Sequence, residues 1–142
     1  MAVECFEYRE DRGIAATELI GLLASVDWGE ASDYDPTAVA RSIAAHSYVA
    51  YCRDDDGLLV GYVSAFSDGI ATIILNELAM HPDYWRRGIG SRLLACAIKH
   101  HAGIPIYAMP FRDNSEAFML KRGFRFPRRS MSVVTMRNGI ES

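Results

Sequence analysis

The sequence predicts a single α/β domain with a mixed but mainly antiparallel sheet and flanking helices. Three observations support this fold class. The chain has 142 residues, half of its residues are hydrophobic, and the spacing of its apolar residues changes between helical and strand periods along the chain. A chain of this length usually forms one domain with a core of its own. We therefore expect residues 1–142 to form one domain.

The first third of the chain indicates one short strand and two helices. Residues 3–8 can form the strand, and apolar residues recur at helical spacing over residues 13–26. The polar segment 27–34 predicts a loop. Asp35 followed by Pro36 then predicts the start of a second helix, because aspartate caps free amides and proline suits the first helical turn.

The middle of the chain is typical of an antiparallel meander. Aromatic and β-branched residues predict strands over residues 48–53, 58–66 and 71–80, with Gly-containing turns between them. Strands joined by such tight turns are antiparallel. Pro82 is expected to end the third of these strands.

The last third predicts a crossover that returns to the sheet. Residues 90–101 have helical spacing, and the apolar segment 104–108 predicts a strand. Because a helix separates this strand from the meander, we expect a parallel pair and a right-handed crossover. Asn114 or Ser115 is expected to cap another short helix, and residues 131–136 predict a last strand.

Charge, cysteine spacing and hydropathy exclude several classes of protein. The net charge is −3, which argues against binding along a nucleic-acid backbone. The three cysteines lie far apart, without zinc-site spacing, so we expect no metal. No apolar segment approaches the about 18 residues of a membrane span, and the acidic N-terminus is unlike a signal peptide. We expect a soluble, cytoplasmic protein without nucleic-acid or membrane partners.

The most informative segment is HPDYWRRGIGSRLL, which runs from His81 to Leu94. Gly88 and Gly90 stand where a loop becomes a helix, and glycine lets the backbone approach a ligand closely. A helix start offers unpaired amides and positive partial charge, which favour a pyrophosphate. A Walker loop is excluded because Gly-Lys-Ser/Thr is missing. A dinucleotide fingerprint is excluded because Leu93 replaces its third small residue.

Residues 76–94, NELAMHPDYWRRGIGSRLL, resemble the central motif of the GNAT superfamily of acyl-CoA-dependent N-acetyltransferases. In that motif a strand ends in a pattern such as LAVHPDY, and Q/R-x-x-G-x-G/A opens a helix. Residues 118–124, FMLKRGF, resemble the later FYxKxGF signature of the family. The resemblance implies a GNAT-like fold with a splayed central strand. It also implies transfer of an acetyl group from acetyl-CoA to a primary amine, by direct attack in a ternary complex.

The resemblance further implies which residues hold the cofactor. Loop amides would bind the pyrophosphate, and the backbone of the central strand would pair with the pantetheine arm, while the side chains of that strand belong to the core. An asparagine near Asn114 contacts pantetheine in many relatives, although helix capping explains this residue equally well. The implied cofactor-binding residues are Leu78, Ala79, Met80, Trp85, Arg86, Arg87, Gly88, Ile89, Gly90, Ser91, Asn114 and Phe118.

Two positions depart from the family pattern. Trp85 stands at the Q/R position, where a polar side chain is lost although the backbone amide can still donate. Met119 stands where many members carry the tyrosine that protonates the leaving thiolate. Tyr84, or else Tyr107, is then the candidate acid, and the alternative for both is a packing role. A thiolate also leaves tolerably well without an acid.

Glu77 is the candidate base because it lies on the central strand just before the segment expected to face the thioester. A primary amine is mostly protonated at neutral pH, so its proton must be removed directly or through water. A structural ion pair or a solvent-facing side chain is the alternative for Glu77. For His81, shaping the strand exit is favoured over a role as base.

The loop before the second helix supplies the candidate substrate residues. Trp28, Glu30 and Asp33 combine an aromatic ring with acidic side chains, which would suit a cationic small-molecule amine. An ordinary solvated loop with Asp35 as helix cap is the alternative. A non-catalytic acyl-CoA-binding or sensing module and a nucleotide-binding enzyme remain open as other functions, and a homodimer is open because relatives are often dimers.

Overall fold

The computed structural model describes residues 5–140, which divide into two compact units between Ala108 and Met109. Residues 3 and 4 of the expected first strand lie outside the described range, and the expectation of one domain over residues 1–142 stays a prediction. In chain order the elements are β1 (Glu7–Arg9), α1 (Ala16–Ser25), α2 (Pro36–Ala45), β2 (Tyr48–Arg53), β3 (Leu59–Ser67), β4 (Ile73–Met80), α3 (Ile89–His100), β5 (Ile106–Ala108) and α4 (Asn114–Lys121).

The first unit contains a sheet whose five described strands lie in chain order from β1 to β5. Neighbouring strands from β1 to β4 are antiparallel, and β5 is parallel to β4. The meander and the parallel pair predicted from the sequence are therefore confirmed. The single parallel pair makes the sheet mixed, because α3 carries the chain back before β5 begins.

β4 changes its neighbours halfway along its length. Leu75 is opposite Ala65 and Glu77 is opposite Ser64, so Asn76 is an extra residue that forms a β-bulge. β5 pairs only with the first part of β4, Ile73–Leu75. Beyond the bulge, the outer edge of β4 faces no strand within the described part of the chain, and this gap is the expected splay of the central strand.

The two faces of the sheet are covered by different helices. Leu22 and Leu23 of α1 pack with Tyr62 of β3 in one buried cluster, to which α2 also contributes. The opposite face is covered by α3. A Cβ atom on Gly61 would lie 2.8 Å from side-chain carbons of both Ile89 and Leu93. Glycine at this position therefore allows α3 to pack directly against β3.

Two predictions in the second unit are wrong. Residues 131–136 form no strand, and their apolar side chains are exposed, because strand-forming residues need a paired neighbour to become a strand. The cap of α4 is Asp113, whose carboxylate accepts a hydrogen bond from the Ser115 amide at 2.7 Å. Asn114 is instead the first residue of the helix. Three capping residues stand in succession there, and the sequence alone did not distinguish them.

Candidate active site

The second half of β4 presents alternate backbone groups to its open edge. The His81 amide donates to the Val60 carbonyl at 2.8 Å, and Ala79 lies opposite Tyr62. Because hydrogen-bonded pairs alternate along an antiparallel ladder, the N–H and C=O of Ala79 face β3, whereas those of Leu78 and Met80 face outward. Two of the three strand residues expected to pair with a cofactor therefore have accessible backbone groups, and Ala79 has not.

Trp85 reaches back onto this edge. Its indole Nε1 donates a hydrogen bond to the Met80 carbonyl at 2.7 Å, and more than half of the side chain stays exposed. The indole therefore covers one of the two outward carbonyls. That carbonyl has a second lone pair, so the contact does not by itself exclude another donor.

The loop between β4 and α3 exposes the helix start. Arg86 has a φ of 65° and Gly88, the N-cap of α3, a φ of 81°. The first bond at this end of α3 runs from the Arg92 amide to the Gly88 carbonyl at 3.0 Å, so the amides of Ile89 and Gly90 have no acceptor inside the helix. A left-handed arginine costs about 1–2 kcal/mol, and such strain occurs at ligand-binding turns. Two backbone amides at the positive end of α3 thus have no partner within the helix, and binding of a pyrophosphate there stays a prediction.

Glu77 lies on the α1 side of the sheet, beside the bulge. Its side chain is 23% exposed, and its Oε1 accepts hydrogen bonds from Ser64 Oγ at 3.0 Å and from Asn76 Nδ2 at 3.4 Å. These bonds fix one oxygen of the carboxylate. The residue is neither fully exposed nor held in an ion pair with lysine or arginine among the described residues.

His46 is buried behind this carboxylate. Its Nδ1 lies 2.6 Å from the Ser42 carbonyl and must donate to it, so Nε2 is free to accept from Asn76 Nδ2 at 2.9 Å. Its Nε2 also lies 3.8 Å from Glu77 Oε1, which is longer than a hydrogen bond. The amide at the bulge therefore links His46 to Glu77.

Tyr62 is the buried aromatic next to this group. Its hydroxyl has no hydrogen-bond partner among the described residues. Burial, with a smaller contribution from the negative charge of Glu77, raises the pKa of Tyr62 to about 12. The phenol therefore stays protonated at neutral pH and lies near the carboxylate.

The loop between α1 and α2 lies close to the same carboxylate. The hydroxyl of Tyr34 donates to the Trp28 carbonyl, and both rings pack against the core cluster. Burial raises the pKa of Tyr34, and the charges of Glu77 and Asp33 raise it further. The negative charge of Glu77 is thus felt at Tyr34, in the predicted substrate loop.

A family model described as "Acetyltransferase (GNAT) family" matches residues 14–124. The chain belongs to the GNAT acetyltransferase family. The match includes every element from α1 to α4, together with the open edge of β4 and the loop that follows it. The matched range therefore contains both segments that carry the sequence resemblance, residues 76–94 and 118–124.

Solved GNAT structures share the fold over nearly the whole chain. A GNAT family acetyltransferase from Streptococcus pneumoniae TIGR4 has a TM-score of 0.74 at 17% identity, covering 92% of this chain and 98% of its own. An acetyltransferase from Trypanosoma brucei has a TM-score of 0.69 at 20% identity, with 92% and 100% covered. The GNAT family N-acetyltransferase YhbS from Escherichia coli, solved in complex with CoA, has a TM-score of 0.67 at 16% identity, with 89% and 72% covered.

No curated protein matches this sequence. In the described range, 5–140, none of the helices combines the length and the apolar character needed to cross a membrane.

In this GNAT chain the predicted acid Tyr84 is directed elsewhere. Its hydroxyl donates to Asp54 Oδ2 at 2.6 Å, in the turn between β2 and β3, and this bond lowers the pKa of Asp54. Its ring packs edge-on against Phe6, with 5.8 Å between the centroids. The geometry favours the packing role, and the role as acid stays a prediction. His81 Nδ1 accepts from the Asp83 amide at 3.2 Å, so the expected role in shaping the strand exit is confirmed.

The acidic residues of the loop before α2 mainly close local turns. Asp33 Oδ2 accepts from the Glu30 amide at 2.8 Å. Asp35 accepts from the Thr37 amide at 3.1 Å, which confirms its predicted role as cap of α2. The assignment of Trp28, Glu30 and Asp33 to the substrate stays a prediction.

Two further residues that are predicted to bind the cofactor, Asn114 and Phe118, lie in the second unit. Phe118 of α4 lies under the guanidinium of Arg122, 3.5 Å from its ring centroid, and Met119 is buried. Asn114 begins the same helix. Contact of Asn114 and Phe118 with a cofactor stays a prediction.

The sequence analysis missed the residues around Glu77, namely His46, Ser64, Asn76 and Tyr62. One signal was available, because Asn76 and Glu77 form a polar pair inside an apolar strand and a buried polar side chain needs partners. Ser64 likewise interrupts a buried strand. His46 gave no signal, since its position before β2 says nothing about what lies across the sheet.

Proposed function

We propose that this chain is an acetyl-CoA-dependent N-acetyltransferase whose acceptor is the primary amine of a small molecule. The observation that carries the proposal is the open half of β4, which has outward backbone groups at Leu78 and Met80, Glu77 at one end and the start of α3 at the other. Membership of the GNAT family and the CoA-bound relative with this fold support it.

The loop and the strand would hold the cofactor together. The amides of Ile89 and Gly90, at the positive end of α3, suit a pyrophosphate. Leu78 and Met80 offer the backbone groups that an extended pantetheine arm would use, provided that the Trp85 indole moves or shares the Met80 carbonyl. When bound, acetyl-CoA supplies an activated acetyl carbon and a thiol leaving group.

Glu77 would act as the base. Ser64 and Asn76 hold one of its oxygens, so the carboxylate is oriented before an amine arrives. Glu77 takes one proton from the ammonium ion, directly or through water. The neutral nitrogen then forms a bond to the acetyl carbon, the carbon–sulfur bond breaks, and the sulfur keeps the electron pair. The nitrogen's second proton passes through solvent to the thiolate, so no tyrosine acid is required.

The proposal includes the cellular compartment and the charge of the acceptor. Its three cysteines are unpaired, which suits a reducing compartment, and we place the protein in the cytoplasm. The acceptor carries a positive charge because an ordinary primary amine is protonated at neutral pH. A carboxylate at the end of the open edge favours such an acceptor over an anionic one.

The test combines ligand binding with turnover. Acetyl-CoA is expected to raise the melting temperature more than ATP or NAD does, because a ligand that binds only the folded state stabilises it. Release of free thiol is then measured over a panel of primary amines. Binding of acetyl-CoA without thiol release on any amine would instead support the acyl-CoA-sensing module, and stabilisation by ATP or NAD alone would support the nucleotide-binding enzyme.

A further inference from the structure

We propose that His46 is a positioning residue for Glu77, which it reaches through the side chain of Asn76. It acts on the base and touches neither the amine nor the cofactor. By fixing the direction in which the Asn76 amide donates, it orients the carboxylate before the amine arrives. The inference rests on the proposed function, because it names a further residue on which the same base depends.

The β-bulge brings two consecutive side chains of β4 together. In a regular strand, neighbouring side chains point to opposite faces of the sheet. At the bulge, Asn76 is the extra residue, and Glu77 is opposite Ser64. The two side chains meet there, with 3.4 Å between Asn76 Nδ2 and Glu77 Oε1. Bulges often re-aim a side chain, and this one places a hydrogen-bond donor beside the proposed base.

The Asn76 amide serves two acceptors with one nitrogen. Its Nδ2 is 2.9 Å from His46 Nε2 and 3.4 Å from Glu77 Oε1. An amide nitrogen carries two hydrogens, so it can donate one to each acceptor. If the amide were turned over, its oxygen would face a ring nitrogen that accepts and a carboxylate oxygen, and neither would have a donor. With Nε2 as acceptor, His46 therefore selects the orientation in which the amide donates to Glu77.

His46 is held in place by the end of α2. It is the C-cap of that helix, and its backbone amide and its ring Nδ1 both donate to the Ser42 carbonyl, at 3.2 Å and 2.6 Å. Because a carbonyl only accepts, Nδ1 carries a hydrogen and Nε2 is left to accept. The ring is buried and stacked on that of Phe66, with 4.2 Å between the centroids. The acceptor is thus presented to Asn76 in a fixed direction.

The donors around Glu77 hold one of its oxygens and leave the other for the amine. The buried Ser64 Oγ donates to Oε1 at 3.0 Å, from the neighbouring strand. Asn76 donates to the same oxygen from within β4. Among residues 5–140, no hydrogen bond is made to Oε2. A carboxylate that is anchored at one oxygen can take a proton at the other without turning away from the amine.

A second histidine has the same local arrangement but lies elsewhere. His101 is the C-cap of α3, is also buried, and has its Nδ1 2.6 Å from the Ala97 carbonyl. Its ring packs against that of Tyr48, with 5.1 Å between the centroids. Tyr48 is opposite Ala65, and Ala65 points to the other face of the sheet from its neighbour Ser64. His101 is therefore a matched control that is remote from Glu77.

The experiment compares His46→Phe with His101→Phe. Both substitutions keep a ring and remove the bond from Nδ1 to the helix, so their costs in stability should be similar, and melting temperatures measure them. Only His46→Phe also removes the acceptor that faces Asn76. Turnover is measured as thiol release with the primary amine that gives the fastest rate. His46→Phe is also combined with Asn76→Ala and, separately, with Glu77→Gln.

We expect His46→Phe and Asn76→Ala each to lower kcat about 10-fold and to change the KM values for amine and acetyl-CoA less than about 2-fold, because a displaced catalytic group slows the chemical step. Combining the two changes should cost no more than either alone. In the Glu77→Gln background, His46→Phe should have no effect, since residues that act through one group are not additive. His101→Phe should keep the wild-type kcat.

NMR tests the contact without relying on turnover. A nitrogen–nitrogen coupling across the hydrogen bond between Asn76 Nδ2 and His46 Nε2 is expected in the wild-type protein and in His101→Phe. If Nε2 carries a hydrogen at neutral pH, or if the coupling is absent, the amide is not held as proposed and the inference is overturned.

The kinetic outcomes separate this inference from the proposed function. A wild-type kcat in His46→Phe, or an equal loss in His101→Phe, overturns the positioning role and leaves the acetyltransferase proposal standing. The same holds if His46→Phe slows Glu77→Gln by the factor by which it slows the wild-type protein. If the coupling is present but the wild-type protein releases no thiol with any amine, the proposed function is contradicted and the contact is structural only.

Discussion

The two ends of the strand order differ in the contacts that their strands make. On the β1–β2 side, charged side chains join the strands to their neighbours: Arg9 bonds Asp11 at 2.7 Å, and Arg53 bonds Glu18 at 2.9 Å. On the other side, the second half of β4 has no strand beyond it in the described part of the chain, and the indole of Trp85 is what reaches its outward carbonyl.

The difference indicates where stability and binding are located. Backbone groups at a sheet edge need partners, which can be water, protein or a ligand. On the β1–β2 side, hydrogen bonds and ion pairs join side chains of the same unit, so these contacts form without a ligand. The open half of β4 has outward groups that a ligand can pair with. Substitutions in the open half of β4 should therefore affect binding and turnover. Substitutions on the β1–β2 side, which we call the closed side, should affect folding.

The largest effect is expected at the start of α3, with Gly88→Asp. The new carboxylate would stand where the pyrophosphate is proposed to bind, and like charges placed together cost about 4 kcal/mol, roughly a 1000-fold loss of acetyl-CoA affinity. Calorimetry with acetyl-CoA measures the loss.

Gly103→Asp is the matched control for this change. Gly103 lies just beyond the other end of α3, has a φ of 87°, and, like Gly88, has no atom within 4 Å of an added Cβ. Both variants carry the same backbone strain, and aspartate is less favourable at a helix C-terminus, so the control loses at least as much stability. Equal acetyl-CoA affinity in the two variants would contradict the placement of the pyrophosphate.

The next largest effect is expected for Glu77→Gln. An amide cannot take a proton from the ammonium ion, so kcat should fall about 100-fold at neutral pH, while acetyl-CoA affinity stays the same. The loss should shrink above about pH 8, because more of the amine is then neutral. Steady-state kinetics over a pH series measure it, with Glu7→Gln on the closed side as control. A pH–rate profile like that of the wild type would exclude Glu77 as the base.

A smaller effect is expected for Trp85→Phe. Phenylalanine keeps the backbone amide and an aromatic ring but lacks the N–H that occupies the Met80 carbonyl. If pantetheine uses that carbonyl, acetyl-CoA should bind about 5-fold tighter, since a neutral hydrogen bond contributes about 1 kcal/mol. Titration calorimetry measures the change. Weaker binding would mean that the indole itself contacts the cofactor.

No effect on turnover is expected on the closed side, where Asp11→Asn should alter stability alone. Bonds from Tyr51, Gly13 and Arg9 lower the pKa of Asp11 to about 2. Because the pKa is lower in the folded protein than in the unfolded chain, the ionised carboxylate stabilises the fold above about pH 4. That contribution is lost as the pH falls toward 2.

Urea unfolding at several pH values tests this sign. The wild-type midpoint should exceed that of Asp11→Asn above about pH 4, and the two midpoints should converge as the pH approaches 2. Asp56→Asn, in the exposed turn between β2 and β3, is the control and should follow the wild type. A difference that grows toward low pH would contradict the role of Asp11.

The sequence predicted the fold best where a few neighbouring residues along the chain determine the local structure. The turns of the meander, the cap at Asp35 and the helix that begins after Gly88 depend on a few adjacent residues, and all three were found at or near their expected positions. The segment 131–136 has the local composition of a strand but no neighbouring strand, so composition alone gave the wrong element there.

By itself, the sequence determined the order of elements as far as α4, the loop that is predicted to bind a pyrophosphate and the family that the motif resembles, because these depend on spacing along the chain. Only the tertiary structure decided which backbone groups of β4 face outward, that Asn76 bulges, and that His46, Ser64 and Tyr62 surround Glu77. These features arise from pairing between strands and from residues distant in the chain. A shift of one residue in the pairing would have turned Glu77 to the other face.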